Sequence, residues 1–470
     1  MRRALLLAAL ALTGCSTTPP RTEAVQTLPP AFYTAPGMGL APAEWWKRRL
    51  RDPALARLIE AALADSPDLA AALARVEQGR AGLRATEAER RPALNGSAGV
   101  TYNRTATEQF GFDTGGGVPG AGGPSIDRER ILYRAGVDAG WDPDLFGRLR
   151  ADRRAAAARL DAAGLEAASV RLTLITDVAR NFVAARSAVA REALAVQNVE
   201  RARDTASVTR SRVQAGLVAG IDEQRAQSLV AETAATTAPI QAERAARIAA
   251  LTTLTGVAPS EVAQLVGSSP SQPSFDLPAA GIPSDLLVRR PDIAASLARV
   301  GAADSETASA IASRFPRLTI TSTIGLVASS LAGLFSGDAL SIVAGPGIAG
   351  PIFDFGRNRA QVQLSRARAA EAVANYRSTV LRAFGEVEAS LAAAEARKRQ
   401  LRALGRLVAS SQETARLARI QYRSGLTDFL GVLDSERALL RARDQQISAE
   451  AELADSELAL FRAIGGDFQG

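Results

Sequence analysis

The chain has 470 residues, with 56 Lys and Arg against 49 Asp and Glu, one cysteine and no histidine. Without histidine or paired cysteines, Ser-His and Cys-His dyads and most zinc or copper sites are excluded; the carboxylates show only ordinary helix-surface spacing, so no enzyme, metal site or cofactor is expected. The pI near 10.2 arises from scattered arginines, and short clusters such as Arg148, Arg150, Arg153 and Arg154 read as a solvated helix face rather than a nucleic-acid footprint.

At the start, Arg2 and Arg3 precede an apolar run from Ala4 to Leu12 that ends in Leu12-Thr13-Gly14-Cys15. A basic n-region, an apolar h-region and small residues at the cut describe a secretory signal. The thiol at the cut suits a bacterial lipoprotein signal, in which the sulfur receives a diacylglyceryl group before cleavage. Residues 1–14 are therefore expected to be removed, lowering the charge from +7 to +5 as Arg2 and Arg3 leave. Residues 15–64 then form a lipidated N-terminal segment. Ser16 and Thr17, rather than Asp, resemble the sorting preference for the outer membrane. Further on, no apolar stretch reaches 18 residues, so the chain can cross a bilayer only within a closed β-barrel.

The remainder is written twice. Pro67-Asp68-Leu69-Ala70-Ala71 reappears as Pro291-Asp292-Ile293-Ala294-Ala295, an offset of 224 that holds through Pro92 and Pro316. Phe146-Gly147-Arg148 matches Phe355-Gly356-Arg357 at an offset of 209, which also aligns Gly216-Leu217 with Gly425-Leu426. The first copy thus carries a surplus between Leu94 and Phe146, for which the glycine-rich stretch 111–123 is the obvious exposed loop. The first repeat is assigned to 65–257 and the second to 284–464, joined by a Pro-rich linker at 258–283 and followed by a tail at 465–470.

In the first repeat a helix is predicted at about 67–90, stopped by Pro92. Strands follow at about 94–104 and 131–141, where Tyr133, Ala135, Val137 and Ala139 alternate with Arg134, Gly136, Asp138 and Gly140. Period-2 alternation over about ten residues is what a membrane-barrel strand shows, although a half-buried strand of a soluble sheet looks the same locally. A proline-free stretch rich in Ala, Arg, Leu and Glu predicts one helix over 148–214, which would span about 100 Å. Gly216 ends it and a return helix occupies about 221–256. The second repeat reads likewise: helix 291–314, strands 317–327 and 340–350, helix 357–424, a turn at Gly425 and helix 429–464. Four strands cannot enclose a channel, so several copies must contribute to a barrel.

This arrangement, with Trp45-Trp46, Asp52-Pro53-x-Leu55, Pro283-Ser284-Asp285-Leu286-Leu287-Val288-Arg289-Arg290-Pro291-Asp292-Ile293 and Tyr422-Arg423-Ser424-Gly425-Leu426-x-Asp428, resembles the TolC/OprM family of outer-membrane factors. Within it the chain is most similar to the lipoprotein subunits of RND-type efflux systems, the NodT branch. The resemblance implies a membrane α+β fold. In it a homotrimeric outer-membrane β-barrel, four strands from each of three protomers, continues into a long periplasmic α-helical barrel. It implies a passive, non-enzymatic exit duct fed by a periplasmic membrane-fusion adaptor and an inner-membrane RND transporter. It places adaptor docking at the two turns, here Ala215-Gly216-Leu217 and Ser424-Gly425-Leu426. It places a periplasmic gate at Leu430 and Asp434, with Tyr422, Arg423 and Arg437 as candidates for holding the tip closed. A lipid-anchored coiled-coil strut without a lumen is one competing reading of the residues, and the outer-membrane duct of a type I secretion or metal efflux system is another. The ordinary alternatives at the gate are core packing for Leu430 and a solvated pair for Asp434 and Arg437. Some relatives carry a second acid three positions before the one matched by Asp434; here that position is Gly431.

Overall fold

The structure is a computed structural model that describes residues 24, 26–29, 33, 52–104, 129–267 and 283–466. The expected lipidation site Cys15, the signal peptide, Trp45-Trp46, the glycine-rich 111–123 and the last residues of the tail lie outside the described residues. The chain divides into two compact units, one holding residues 78–160 and 299–372 and the other 24–77, 161–298 and 373–470 among their described residues.

The first unit carries the sheet. Strands β1 (Ala93–Arg104), β2 (Glu129–Trp141), β3 (Arg317–Ala328) and β4 (Leu340–Ala349) pair in chain order, each antiparallel to the next. Pro92 and Pro316 stand immediately before β1 and β3 and disfavour helix in the residue ahead of them. The register opposes Asn95, Asp138 and Thr323 across three strands, and Val100, Tyr133 and Ala328 across the same three. Residues directly opposite share a face. One face therefore collects Leu94, Val100, Val137, Ile320, Ile324 and Ile342, and the other Asn95, Ser97, Thr101, Asp138, Thr321 and Thr323. On the polar face Asp138 accepts hydrogen bonds from Ser97 Oγ at 3.1 Å and Thr323 Oγ1 at 2.7 Å. On the apolar face Val137, Ile324 and Ile342 are exposed, which is costly for a sheet in water and natural for one facing lipid. Gly136 and Gly325 oppose each other so closely that a Cβ on Gly136 would stand 2.9 Å from the Gly325 Cα.

The described α-helices are α1 (Pro53–Asp65), α2 (Pro67–Ala88), α3 (Arg148–Gln214), α4 (Gly220–Ala235), α5 (Thr237–Thr255), α6 (Pro259–Gly267), α7 (Leu286–Arg289), α8 (Pro291–Ala312), α9 (Arg357–Arg423) and α10 (Phe429–Ala463), and short 3-10 turns at Pro283–Asp285, Ala332–Phe335 and Gly337–Ala339 complete the described elements. At the strand–helix corner Asp144, itself at φ +58, accepts from the Leu149 and Arg150 amides at 3.0 and 2.8 Å and so caps α3. Phe146 stacks on Phe315 beside it, centroids 4.8 Å apart.

The second unit has its core around Leu55, Leu58 and Ile59 of α1, Val178 and Phe182 of α3, Leu251 of α5, Val262 and Val266 of α6 and Leu458 of α10. Fully burying each such side chain contributes roughly 1.5–3 kcal/mol. The Asp52-Pro53-x-Leu55 motif builds its entrance: Asp52 Oδ1 accepts from the Ala54 and Leu55 amides, Pro53 occupies the first helical position, and Leu55 goes into the core. The same carboxylate forms an ion pair with buried Arg186, whose guanidinium lies 4.5 Å from the Phe182 ring centroid and donates to the Val266 carbonyl.

Three sequence readings need correction. The return helix expected over 221–256 is two helices that meet at Thr236. Pro239 has no amide hydrogen to continue the ladder and its ring crowds the preceding turn; the Thr236 hydroxyl donates to the Thr233 carbonyl at 2.7 Å at the break. Residues 259–267 of the expected linker form α6, because Pro259 suits the first turn and Val262 and Val266, one turn apart, are both buried. Residues 53–64 of the expected N-terminal segment belong to α1, which runs on to Asp65 of the first repeat.

Candidate functional site

Two helical hairpins end in near-identical turns. After α3, the Gly216 amide donates to the Val213 carbonyl and the Leu217 amide to the Arg212 carbonyl, both at 2.9 Å. After α9, the Gly425 amide donates to Tyr422 at 3.1 Å and the Leu426 amide to Gln421 at 2.9 Å. Both are Schellman caps, which require a left-handed residue; the glycines hold φ +72 and +73. Ala215, Gly216, Ser424 and Gly425 are exposed, and Leu217 and Leu426 project at 66% and 79% exposure. Each turn thus presents one leucine to solvent.

Asp428 begins α10 by accepting from the Gly431 amide at 3.2 Å. From there the helix has two faces. Phe429, Val432, Leu433 and Leu439 are buried, while Leu430, Gly431 and Asp434 are exposed. Leu430 and Asp434 lie one turn apart on the exposed face. Leu430 is thus not in this chain's own core. Arg437 does not pair with Asp434: its Nε and Nη2 both donate to Glu232 of α4, at 3.0 and 2.6 Å, so the solvated Asp434–Arg437 pair is replaced by a bridge between helices.

Tyr422 is buried, with Phe429 edge-on at 5.5 Å between centroids. The Arg212 guanidinium lies 4.5 Å from the Tyr422 ring centroid, and its Nη1 donates to the Tyr422 carbonyl at 2.6 Å. Arg212 thus ties one hairpin turn to the other. The Tyr422 hydroxyl is enclosed without a hydrogen-bond partner, so the side chain acts through its ring. Arg423 is exposed. Sequence reasoning missed Arg212, Glu232, and the ion pair of Arg419 with buried Glu436. Glu436 had a legible signal: it falls on the stripe Phe429-Val432-Leu433-Leu439, where an acid needs a buried partner.

The Pro283–Ile293 block has its own junction. Arg290 is buried; its Nε and Nη2 donate to the two Asp292 oxygens at 3.0 and 2.7 Å, and its Nη1 to Glu386 at 2.7 Å and the Ala463 carbonyl at 2.9 Å. Burial works against the Asp292 charge, but the Arg290 guanidinium and the Ile293 amide outweigh it and hold the carboxyl below the ordinary value. The motif therefore fastens the start of α8 to α9 and to the end of α10. No cluster of three metal-ligating side chains occurs among the described residues, and no described helix is long and apolar enough to cross a membrane.

A family profile described as "Outer membrane efflux protein" matches residues 58–257 and 282–466. The pyoverdine export outer membrane protein OpmQ of Pseudomonas putida is 32% identical over 99% of this chain and 97% of its own. The outer membrane protein OprJ of Pseudomonas aeruginosa is 32% identical over 98% and 95%. The solved structure of the outer-membrane channel OprN superposes with a TM-score of 0.86 at 30% identity, covering 97% of this chain and all of that one.

Proposed function

The chain belongs to the outer membrane efflux protein family, and from that premise we propose that three copies close into one duct serving a tripartite efflux pump. The chain is an outer-membrane channel protein. Each protomer gives its four strands to a shared β-barrel in the outer membrane and its long helices to a periplasmic α-barrel. Solutes handed over by an inner-membrane RND transporter through a periplasmic adaptor pass outward without chemistry at the duct, so the pump sets the cargo. Cys15 carries the lipid anchor.

The single observation that carries this reading is the sheet: four strands, one apolar and exposed face, one polar face, and two edges left unpaired among the described residues. Such a sheet is stable in a bilayer only if further strands close it. A lumenless strut leaves that sheet without a purpose. At the far ends of the helices, Leu217 and Leu426 on their glycine turns receive the adaptor. Leu430 and Asp434, exposed on one face of α10, supply an apolar and an acidic ring around the threefold axis. Arg212 on Tyr422 and Arg437 on Glu232 hold the two hairpins of each protomer together, so opening the entrance requires moving them as a pair or breaking those bridges. Channel conductance in planar bilayers, with restored drug resistance in a strain lacking its own duct, tests the reading. A monomer without conductance would reject it.

A further inference from the structure

The internal duplication specifies how one copy of the chain meets the next. Pairing between β1 and β2 sets Ala93 against Gly140 and Tyr102 against Ile131. Adding the sequence offsets of 224 and 209 gives Arg317 against Ala349 and Leu326 against Leu340, which is the observed register of β3 and β4. The two repeats are therefore equivalent strand by strand. One seam of the sheet, β2 against β3, joins repeat one to repeat two within the chain. Its equivalent would join repeat two to repeat one of another copy, through the two unpaired edges.

Burial in the helices beside the sheet points the same way. The seam inside the chain is closed by the Phe146–Phe315 stack and the Arg159–Glu306 ion pair. On the same two helices Ala155, one turn before Arg159, and Ala308, two residues after Glu306, are 2% and 1% exposed. Their equivalents by offset, Leu364 and Arg84, are both exposed. The equivalent of Phe146 is Phe355, which meets Phe353 edge-on and is 91% exposed. The equivalent of Phe315 is Arg91, also exposed. Phe355 follows β4 and Arg91 precedes β1 in the chain, so the two halves of the equivalent contact belong to the two edge strands.

We infer that the edges β4 and β1 join head to tail between copies in the register of the β2–β3 seam, with Gly345 opposite Thr101 and Gly347 opposite Gly99 of the next copy, and the Phe355 ring against its Arg91. The inference rests on the trimeric reading above and adds its seam. The assigned pairs agree in face: Gly345, Gly347, Thr101 and Gly99 all lie on the polar face, and Ile348 meets Ala98 on the apolar one. An interface of two different edges repeats by rotation and closes into a ring. The seams differ chemically, because a guanidinium on an aromatic ring replaces an aromatic pair.

Double substitution tests the register. Cys15 is the chain's sole cysteine, and a Cβ at Gly345 or Gly99 meets nothing within 4 Å. Gly345→Cys with Thr101→Cys, oxidised in intact outer membranes, should yield disulfide-linked dimers and trimers. Gly345→Cys with Gly99→Cys or Asn103→Cys should yield at least about tenfold less, since a two-residue slip moves the Cβ atoms roughly 7–8 Å apart. Arg91→Phe, which copies the internal stack into the seam, should raise the temperature at which the trimer dissociates in detergent. A trimer that cross-links best at the slipped pairs, or at none, or that Arg91→Phe weakens, overturns the register while keeping the duct. A protein that stays monomeric and non-conducting overturns both.

Discussion

Gly425 allows backbone torsion to be separated from sterics. It holds φ +73 and an added Cβ would meet nothing within 4 Å, so a substitution strains the backbone without a clash. The left-handed conformation costs a non-glycine residue roughly 1–2 kcal/mol, equivalent to about five- to thirtyfold in a local opening equilibrium. Gly425→Ala should therefore speed hydrogen exchange at the Leu426 amide, which donates to the Gln421 carbonyl, by about that factor. Gly425→Val should exceed it because a β-branched side chain suits this conformation least. Gly425→Asn should fall between Ala and wild type, since Asn tolerates it. If the turn receives the adaptor, efflux-dependent drug resistance should follow the same order: glycine, Asn, Ala, Val. Alanine exchanging like wild type, or Asn exchanging as fast as Val, would refute the torsional argument. Normal exchange order with unchanged resistance in every variant would leave the turn intact and remove its docking role.

Asp434→Ala should raise single-channel conductance and weaken cation preference if three carboxylates narrow the entrance; an unchanged current returns Asp434 to a solvated surface. Tyr422→Phe should be neutral or stabilising in thermal unfolding, since it removes an unpartnered buried hydroxyl and keeps the ring, whereas Tyr422→Ala should cost about 3–5 kcal/mol. Asp292, whose carboxyl is held below its ordinary value, contributes stability that is present above the unfolded value near pH 4 and lost as pH falls through the folded one. Asp292→Asn should accordingly lower stability at neutral pH and flatten the acid limb of the unfolding curve. An acid limb identical to wild type would reject the Arg290–Asp292 pairing as a stabilising contact.

Much of this architecture is legible in the residues. The repeat offsets are carried by short motifs, and the strands by alternation that is clear over 133–140 and less clean over 340–350, because a sheet with lipid on one side and water on the other penalises a slip. The hairpin turns announce themselves through Gly216 and Gly425, since a Schellman cap accepts little else. The helix break at Thr236 was missed for a local reason: Pro239 sits where it could open a helix or interrupt one, and composition favours both equally. Helix α6 was hidden among prolines, though Val262 and Val266 carry the spacing of a buried face. The partner of Arg437 could not be read, because Asp434 lies three residues away in sequence while Glu232 comes from another helix. The fold brings Glu232 and Arg212 into the tip, and short-range spacing gives no hint of either.

In a barrel wall built from this sheet, the polar face lines water and the apolar face meets lipid. Single-channel recording of Thr321→Cys and Ile320→Cys, neighbours on opposite faces of β3, with a charged thiol reagent tests it most directly. The expected result is a stepwise fall in current for Thr321→Cys and none for Ile320→Cys. Modification that blocks Ile320→Cys but spares Thr321→Cys would contradict it.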